Sequence, residues 1–268
     1  MLNILDRFRL DGQVAIVTGS GRGIGAATAI ALADAGADVV VTARTIEDIE
    51  HTATQIRQRG RRALAVACDV LDEQQRQALL EQTIEHFGRL DILVNNVGGS
   101  GAIKPTLMTT EEELEACFKL NTSTAFAMSR LSAPLMVKTT GQGAIVNISS
   151  VAGHLAQPGF ISYGIGKAAL NFMTLNLAQD FAPKVRVNAI SVGSTLTDAL
   201  KGVMSDEIEQ AIVKRTPMAR LGQPEDIAAC ALFLASPAAS YITGEIYGVN
   251  GGLTDAPMVM PRSSFNTD

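Results

Sequence analysis

The run Val14-Ala15-Ile16-Val17-Thr18 leads straight into Gly19-Ser20-Gly21-Arg22-Gly23-Ile24-Gly25, and Ala-rich sequence follows from Ala26. Few folds accept that order. A short apolar run bounded by turn residues reads as a buried strand. Four glycines in the next seven residues suit a tight turn, because glycine adopts positive φ without a steric penalty. The helix that follows aims its unpaired N–H groups and the positive end of its dipole into that turn. A strand, a glycine turn and a helix together make an anion cradle, and a dinucleotide pyrophosphate is the anion it suits. Two spacings coexist here. Gly21, Gly23 and Ala26 fit G-x-G-x-x-A, while Gly19, Gly23 and Gly25 fit T-G-x-x-x-G-x-G. Both predict a nucleotide loop.

The rest of the chain repeats the alternation. Apolar, β-branched strand candidates lie at 14–18, 38–42, 63–67, 92–95, 144–148, 186–190 and 245–249. Helix-like windows separate them at 25–35, 47–59, 73–87, 110–138 and 163–181. Continuous apolar strands imply burial on both faces. The expectation is an α/β single-domain Rossmann fold over 1–268, a doubly wound parallel sheet of about seven strands flanked by helices. The stretch 193–222 is long, polar and poor in strand signal, which suits a lid over a site. The tail after Gly252 carries Pro257 and Pro261, and either fraying or packing is open to it.

Composition narrows the function. A formal net charge of −5 gives no electrostatic footprint for nucleic acid or an anionic membrane. Cys68, Cys117 and Cys230, like His51, His86 and His154, are scattered, so no metal site is expected. No apolar run approaches a membrane span, and no leader or sorting signal is evident. These features point to a reducing cytoplasm.

In dinucleotide folds an acid at the end of the second strand holds the ribose 2′-hydroxyl, whereas arginine suits a 2′-phosphate. Here that strand ends in Ala43 and Arg44, and Arg22 projects from the glycine turn. Two guanidiniums without a carboxylate favour NADP, with NAD as the alternative. Polar groups follow three further strands: Asn95-Asn96, Ser149-Ser150 and Ser191-Val192-Gly193. In an open parallel sheet these ends converge on the ligand crevice. Tyr163 and Lys167 are four apart, hence neighbours on one helix face. A phenol titrates near 10, too high for a base at neutral pH. A nearby ammonium favours the phenolate, and such a tyrosine can exchange a proton with an alcohol as hydride departs.

Together these residues resemble the short-chain dehydrogenase/reductase family over about residues 10 to 252. The resemblance rests on 18–25, Asp69, 95–98, Asn121, 148–150, 163–167, 188–197 and 220–227. It implies Tyr163 as acid/base, Ser150 as the group polarising the carbonyl, Lys167 as the ribose contact that depresses the tyrosine pKa, and Asn121 as a helix-distorting residue holding a relay water. It implies cofactor contacts at Gly19, Ser20, Arg22, Gly23, Ile24, Gly25 and Arg44, at Asp69 and Val70 on the adenine side, and at Asn95. Gly193 and Thr197, with Tyr163 and Lys167, complete the cofactor set. It further implies a homotetramer joined through the 110–138 and 163–181 helices. The chain departs from the family pattern at Val97 (usually Ala), Val192 (usually Pro), Ile165 and Gly166.

The expected function is NAD(P)-dependent hydride transfer between nicotinamide and a carbonyl or secondary alcohol. The stretch 196–240 is similar to bacterial 7α-hydroxysteroid dehydrogenases, which implies a hydroxysteroid. His154, Phe160 and Met204 lie where a substrate pocket is expected, although loop or core packing explains each equally well. A β-ketoacyl thioester, small ketone or sugar stays open, and Lys201, Lys214, Arg215 and Arg220 would serve an anionic carrier. A non-catalytic cofactor sensor is the alternative of another class, disfavoured because Asn121, Ser150, Tyr163 and Lys167 are all present.

Overall fold

The computed structural model of the protein describes residues 3–197, 200, 205–257 and 262–264. Seven strands pair in parallel: β1 (Val14–Thr18), β2 (Asp38–Ala43), β3 (Ala63–Ala67), β4 (Ile92–Asn95), β5 (Gly143–Ser150), β6 (Val185–Val192) and β7 (Ile246–Val249). Their order is β3-β2-β1-β4-β5-β6-β7. The chain winds outward from β1 to β3, then restarts at β4 on the other side of β1. That reversal opens a crevice at the carboxyl ends of β1 and β4, where ligands bind in open α/β sheets.

Helices connect the strands: α1 (Gly23–Asp34), α2 (Ile46–Gln58), α3 (Glu73–Phe87), α4 (Glu111–Phe118), α5 (Thr124–Thr140), α6 (Ile161–Phe181), α7 (Asp206–Arg215) and α8 (Pro224–Ala235). Alternation along the strands divides the core in two. Ala15 and Val17 face the α1–α2–α8 layer, with Leu32, Ile49, Ile56 and Leu234. Val14 and Ile16 face the opposite layer, with Leu79, Met128, Met136 and Ile145. Because both faces are covered, the strands carry apolar residues at odd and even positions alike.

The helix expected over 110–138 is interrupted. A π-helical turn, Lys119–Ser123, separates α4 from α5. The Asn121 amide Nδ2 donates to the Cys117 carbonyl at 2.9 Å. A side chain that competes for its own turn's carbonyl in this way disturbs the helical ladder, and π-bulges often mark functional positions.

The 193–222 stretch is not structureless. It contains α7, whose first turn is capped by Ser205 accepting from the Ile208 N–H at 3.4 Å. A parallel bridge between Thr195 and Gly222 closes its base. Met204 and Lys201 lie outside the described residues. The tail packs back on the domain. The Ala256 carbonyl accepts from Arg215 at 2.9 Å, and the Ser263 hydroxyl accepts from the Leu107 N–H at 3.3 Å. No helix among the described residues is long and apolar enough to cross a membrane.

Candidate active site

The phosphate loop is shaped by backbone approach. Gly19 and Gly23 have φ of 65° and 55°, conformations that L side chains rarely adopt. Gly25 is needed for a different reason: a Cβ there would collide with the Gly19 carbonyl. Arg22 occupies the N-cap of α1 without a side-chain cap hydrogen bond, so the first N–H groups of α1 face the turn with no side chain closing them off. This cradle of bare backbone fits a pyrophosphate. Ile24 packs against the core behind it.

Two hydroxyls and an amide fasten the loop. Ser20 is fully buried. Its Oγ donates to the Val17 carbonyl at 2.6 Å and accepts from the Thr42 N–H at 2.9 Å. The side chain implied as a cofactor contact is thus a clasp between the loop and β2, because it satisfies buried backbone groups. Asn96, read from the sequence only as one of the polar groups after β4, has a specific task. Its Nδ2 donates to the carbonyls of Thr18 and Gly19 at 2.9 and 3.1 Å, and its N–H donates to Thr18 Oγ1 at 3.0 Å. The signal available was its place after β4, the strand that neighbours β1.

Asn95, implied on the adenosine side of the cleft, is held by a buried polar ladder. Its amide turns away from the crevice and donates to Asn147 Oδ1 at 2.9 Å and Ser129 Oγ at 3.1 Å. Asn147 continues to Thr174 at 2.9 Å. A polar side chain buried under α5 must find partners there, and this ladder supplies them.

At the ribose edge, Arg22 and Arg44 are both exposed, and neither pairs with a carboxylate among the described residues. Asp69 follows β3, where its Oδ1 accepts from the Leu71 N–H at 3.0 Å. Val70 lines a small depression with Thr18, Asn95 and Val97. Thr197 comes close to the loop from the other side. A Cβ on Gly23 would stand 3.5 Å from the Thr197 methyl. Gly193 donates to the Val249 carbonyl at 3.0 Å, and its lack of a side chain admits Asn250 beside it. Val192, where the family usually has proline, extends β6 between Ser150 and Val249.

The residues implied for proton transfer meet at the end of β5. Ser150 is the last residue of that strand, and its Oγ accepts from the Ala152 N–H at 3.2 Å. The Tyr163 phenol on α6 lies near enough for the Ser150 hydroxyl to act on its titration. Tyr163 is half-buried, open enough for a substrate to reach it. Lys167 is 2% exposed. Its Nζ stands 5.7 Å above the Tyr163 ring and donates to the Ile148 carbonyl at 2.8 Å. Asn121 grips the loop after β4 in both directions, with Nδ2 donating to the Gly99 carbonyl at 2.8 Å and Oδ1 accepting from the Gly99 N–H at 3.1 Å. A Cβ on Gly98 would stand 2.7 Å from Asn121 Oδ1 and 3.0 Å from Lys167 Nζ. The two side chains are therefore neighbours across that glycine.

Among the protein's own groups, burial pushes the Tyr163 phenol upward, and the Ser150 hydroxyl opposes that rise. The lowering expected at this tyrosine counts the positive nicotinamide ring together with Lys167. Burial brings the Lys167 ammonium down to about 8, so it still carries its proton at neutral pH.

Phe160 and His154 lie in the connection that crosses from β5 to α6. The Phe160 ring centroid is 6.3 Å from that of Tyr163. His154 is exposed, with Nδ1 3.5 Å from the Ser191 hydroxyl. Within 193–222, Arg215 is bound to the Ala256 carbonyl and Arg220 is clasped by Asp226 at 2.6 and 2.9 Å. Among the described residues, no three His, Cys, Asp or Glu side chains group as a metal site would.

Comparison with known proteins agrees with this geometry. A family model described as enoyl-(acyl carrier protein) reductase matches residues 19–254. The 7α-hydroxysteroid dehydrogenase of Escherichia coli K12 is 46% identical over 248 residues, covering 92% of this chain and 96% of that protein. A solved 7α-hydroxysteroid dehydrogenase, complexed with NADH and 7-oxo glycochenodeoxycholic acid, superposes with a TM-score of 0.91 at 44% identity, covering 96% of this chain and all of that one. A gluconate 5-dehydrogenase from Burkholderia cenocepacia, in complex with NADP and tartrate, superposes with a TM-score of 0.88 at 34% identity, covering 95% and 100%.

Proposed function

The chain belongs to the short-chain dehydrogenase/reductase family, and from that premise we propose that it interconverts a ring hydroxyl and a ring ketone on a steroid-class substrate, with NADP(H) preferred over NAD(H). That it is an oxidoreductase transferring hydride with a nicotinamide cofactor follows from the family. The substrate class is inferred from the 46% identical 7α-hydroxysteroid dehydrogenase. Arg215 and Arg220 are already engaged, which leaves fewer free lid cations for an acyl carrier and favours the steroid over the thioester.

A single observation carries the chemistry: the buried Lys167 ammonium 5.7 Å over the Tyr163 ring, at the end of the strand that closes in Ser150. The nicotinamide, when bound, accepts or supplies the hydride. In oxidation, Ser150 holds the substrate oxygen and Tyr163, as phenolate, takes the hydroxyl proton while the adjacent C–H bond breaks. In reduction, Tyr163 returns that proton to the carbonyl oxygen. Lys167 holds positive charge beside the phenol. Asn121 secures the loop that forms the opposite wall. Gly19, Gly23, Ile24 and Gly25 hold the pyrophosphate by backbone, with Thr197 and Gly193 beside the nicotinamide end and Asp69 and Val70 beside the adenine. Arg44, with Arg22, holds a 2′-phosphate, since Ala43 offers no acceptor for a ribose hydroxyl.

We place the protein in the cytoplasm, with residues 193–222 as the lid, and as a homotetramer. Phe126 on α5 and Phe172 on α6 are 46% and 68% exposed, and apolar faces of this kind mark association surfaces. Light scattering on the purified protein checks the assembly, and a monomer at micromolar concentration refutes it. The decisive assay follows reduced-nicotinamide absorbance with hydroxysteroids, ketoacyl thioesters and sugars, each with NADP and NAD, beside Tyr163→Phe. Turnover of a steroid with NADP, lost in Tyr163→Phe, is expected. Turnover of thioesters alone would overturn the substrate, and turnover with NAD alone would overturn the cofactor preference.

A further inference from the structure

A hydroxyl inside a helix ordinarily bonds back to the carbonyl four residues earlier. Thr83, Thr124, Ser129, Thr139, Thr140 and Thr174 all do so here, at 2.7–2.8 Å. Thr122 does not. It sits in the π turn next to Asn121, is 6% exposed, and its Oγ1 donates at 2.7 Å to the carbonyl of Gly166 on α6. That carbonyl belongs to the peptide joining Gly166 to Lys167.

The contact is close because Gly166 has no side chain. A Cβ there would stand 3.3 Å from Asn121 Cβ, 3.6 Å from the Cys117 carbonyl and 3.8 Å from Phe118 Cα. As an interior residue of α6, the Gly166 carbonyl also has the Leu170 N–H as its helical partner. A carbonyl has two lone pairs, so α6 does not depend on Thr122 to satisfy this group. What the Thr122 bond fixes is the spacing between two elements. One carries Asn121. The other carries Tyr163 and Lys167.

We propose that Thr122 is a positioning residue for the reaction: by bonding the peptide that precedes Lys167, it sets the Tyr163–Lys167 face of α6 against Asn121. The proposal rests on the oxidoreductase reading for its kinetic consequences. Lys167 and Cys117 are the titratable neighbours of Tyr163, and both lie at this junction, Cys117 four residues before Asn121 and Lys167 directly after Gly166. Opening the junction moves the ammonium away from the phenol and makes the phenolate harder to form.

The test compares Thr122→Val, which keeps the shape and removes the donor, with Thr122→Ser, which keeps the donor. Thr122→Val is expected to lower kcat about tenfold to a hundredfold, as sub-ångström misplacement of reacting groups does. Its nucleotide Kd, read by reduced-nucleotide fluorescence, should hold, and the limb of its pH–rate profile should move to higher pH. Thr122→Ser should restore both. A second readout needs no substrate: the Tyr163 titration from the near-ultraviolet phenolate band, taken as the difference between each protein and the same protein carrying Tyr163→Phe. Thr122→Val should move that titration upward and Thr122→Ser should not. If no substrate turns over with the unmodified enzyme, the functional reading fails and the phenolate titration still decides the proposal. If Thr122→Val does not fold, Gly166→Ala takes its place, because its methyl presses on Asn121 with the hydroxyl retained, and the same upward movement is expected. A variant that folds with an unmoved Tyr163 titration and an unmoved pH limb overturns the proposal, even if its melting temperature falls.

Discussion

The two sides of the crevice are built in different ways. On the β1–β2 side the recognition surface is backbone: Gly19, Gly23 and Gly25 shape the turn, and the N-terminus of α1 faces it. The side chains there, Ser20 and Asn96, point into the fold and fasten the loop from behind. On the β4–β6 side the working surface is side chains. Ser150, Tyr163, Lys167 and Asn121 come from a strand end, one helix and a π turn, each tied to another element. Backbone suits a group common to many substrates, since a pyrophosphate needs only N–H donors and close approach. Proton transfer needs a titratable group, which only side chains supply.

The contrast is sharpest where each side is broken. Tyr163→Phe removes the proposed acid/base and leaves the glycine loop alone. We expect kcat to fall by about 10²–10⁴-fold, the usual contribution of a positioned acid/base, with nucleotide affinity unchanged in a fluorescence titration. Parallel losses of affinity and turnover would mean that the two sides are not separable. Gly25→Ala should show the reverse. Its methyl meets the Gly19 carbonyl, and local strain of about 1–3 kcal/mol weakens nucleotide binding by roughly tenfold to a hundredfold. Turnover at saturating nucleotide should be kept to within a few-fold. Retained affinity would show that the loop relaxes around the methyl and that its glycine is not needed for approach.

The same division explains what could be read from the sequence. The phosphate loop is contiguous, so strand, turn and helix are visible together at 14–35. Most strands lie within two residues of their expected bounds because they are apolar on both faces. Tyr163 and Lys167 could be paired from their spacing of four, but Asn121 and Ser150 lie far off in the chain and join them only through the sheet order, so their roles came from family resemblance. Side-chain direction was least legible. Ser20 and Asn95 sit at crevice positions, yet both turn inward because buried backbone and amide groups there need partners. The break at 119–123 was invisible to the apolar periodicity of 110–138, which a π turn leaves nearly intact, and was signalled only by the resemblance that makes Asn121 a helix-distorting residue. The helix Asp206–Arg215 was obscured by its charge.

A smaller effect tests the ribose edge. Ala43→Asp places a carboxylate where a 2′-hydroxyl would be held and a 2′-phosphate repelled. The ratio of kcat/KM for NADP to that for NAD should fall by about tenfold, the equivalent of one charge-assisted hydrogen bond. An unchanged ratio would show that Arg22 and Arg44 do not read the phosphate, and the backbone account of this side would then cover its whole surface.

The smallest expected effect concerns stability. Burial lowers Lys167 from its ordinary 10.5 to about 8. Between those values the unfolded chain binds the proton and the folded chain does not, so this group's contribution to stability rises with pH from about 8 toward 10.5. At neutral pH the folded protein instead holds a charged ammonium that is 2% exposed, which opposes folding. Lys167→Met keeps the length of the side chain and removes the charge. It should raise stability at pH 7 by on the order of 1 kcal/mol, a rise of about 2–4 °C in melting temperature for a chain of this size. The gain over the parent should shrink as pH approaches 10, and activity should be lost. A melting temperature that falls at pH 7 would mean that the bond to the Ile148 carbonyl outweighs desolvation. Lys167 would then be a structural tie on the β4–β6 side, as Ser20 and Asn96 are on the other, and the contrast between the two sides would rest on Tyr163 and Ser150 alone.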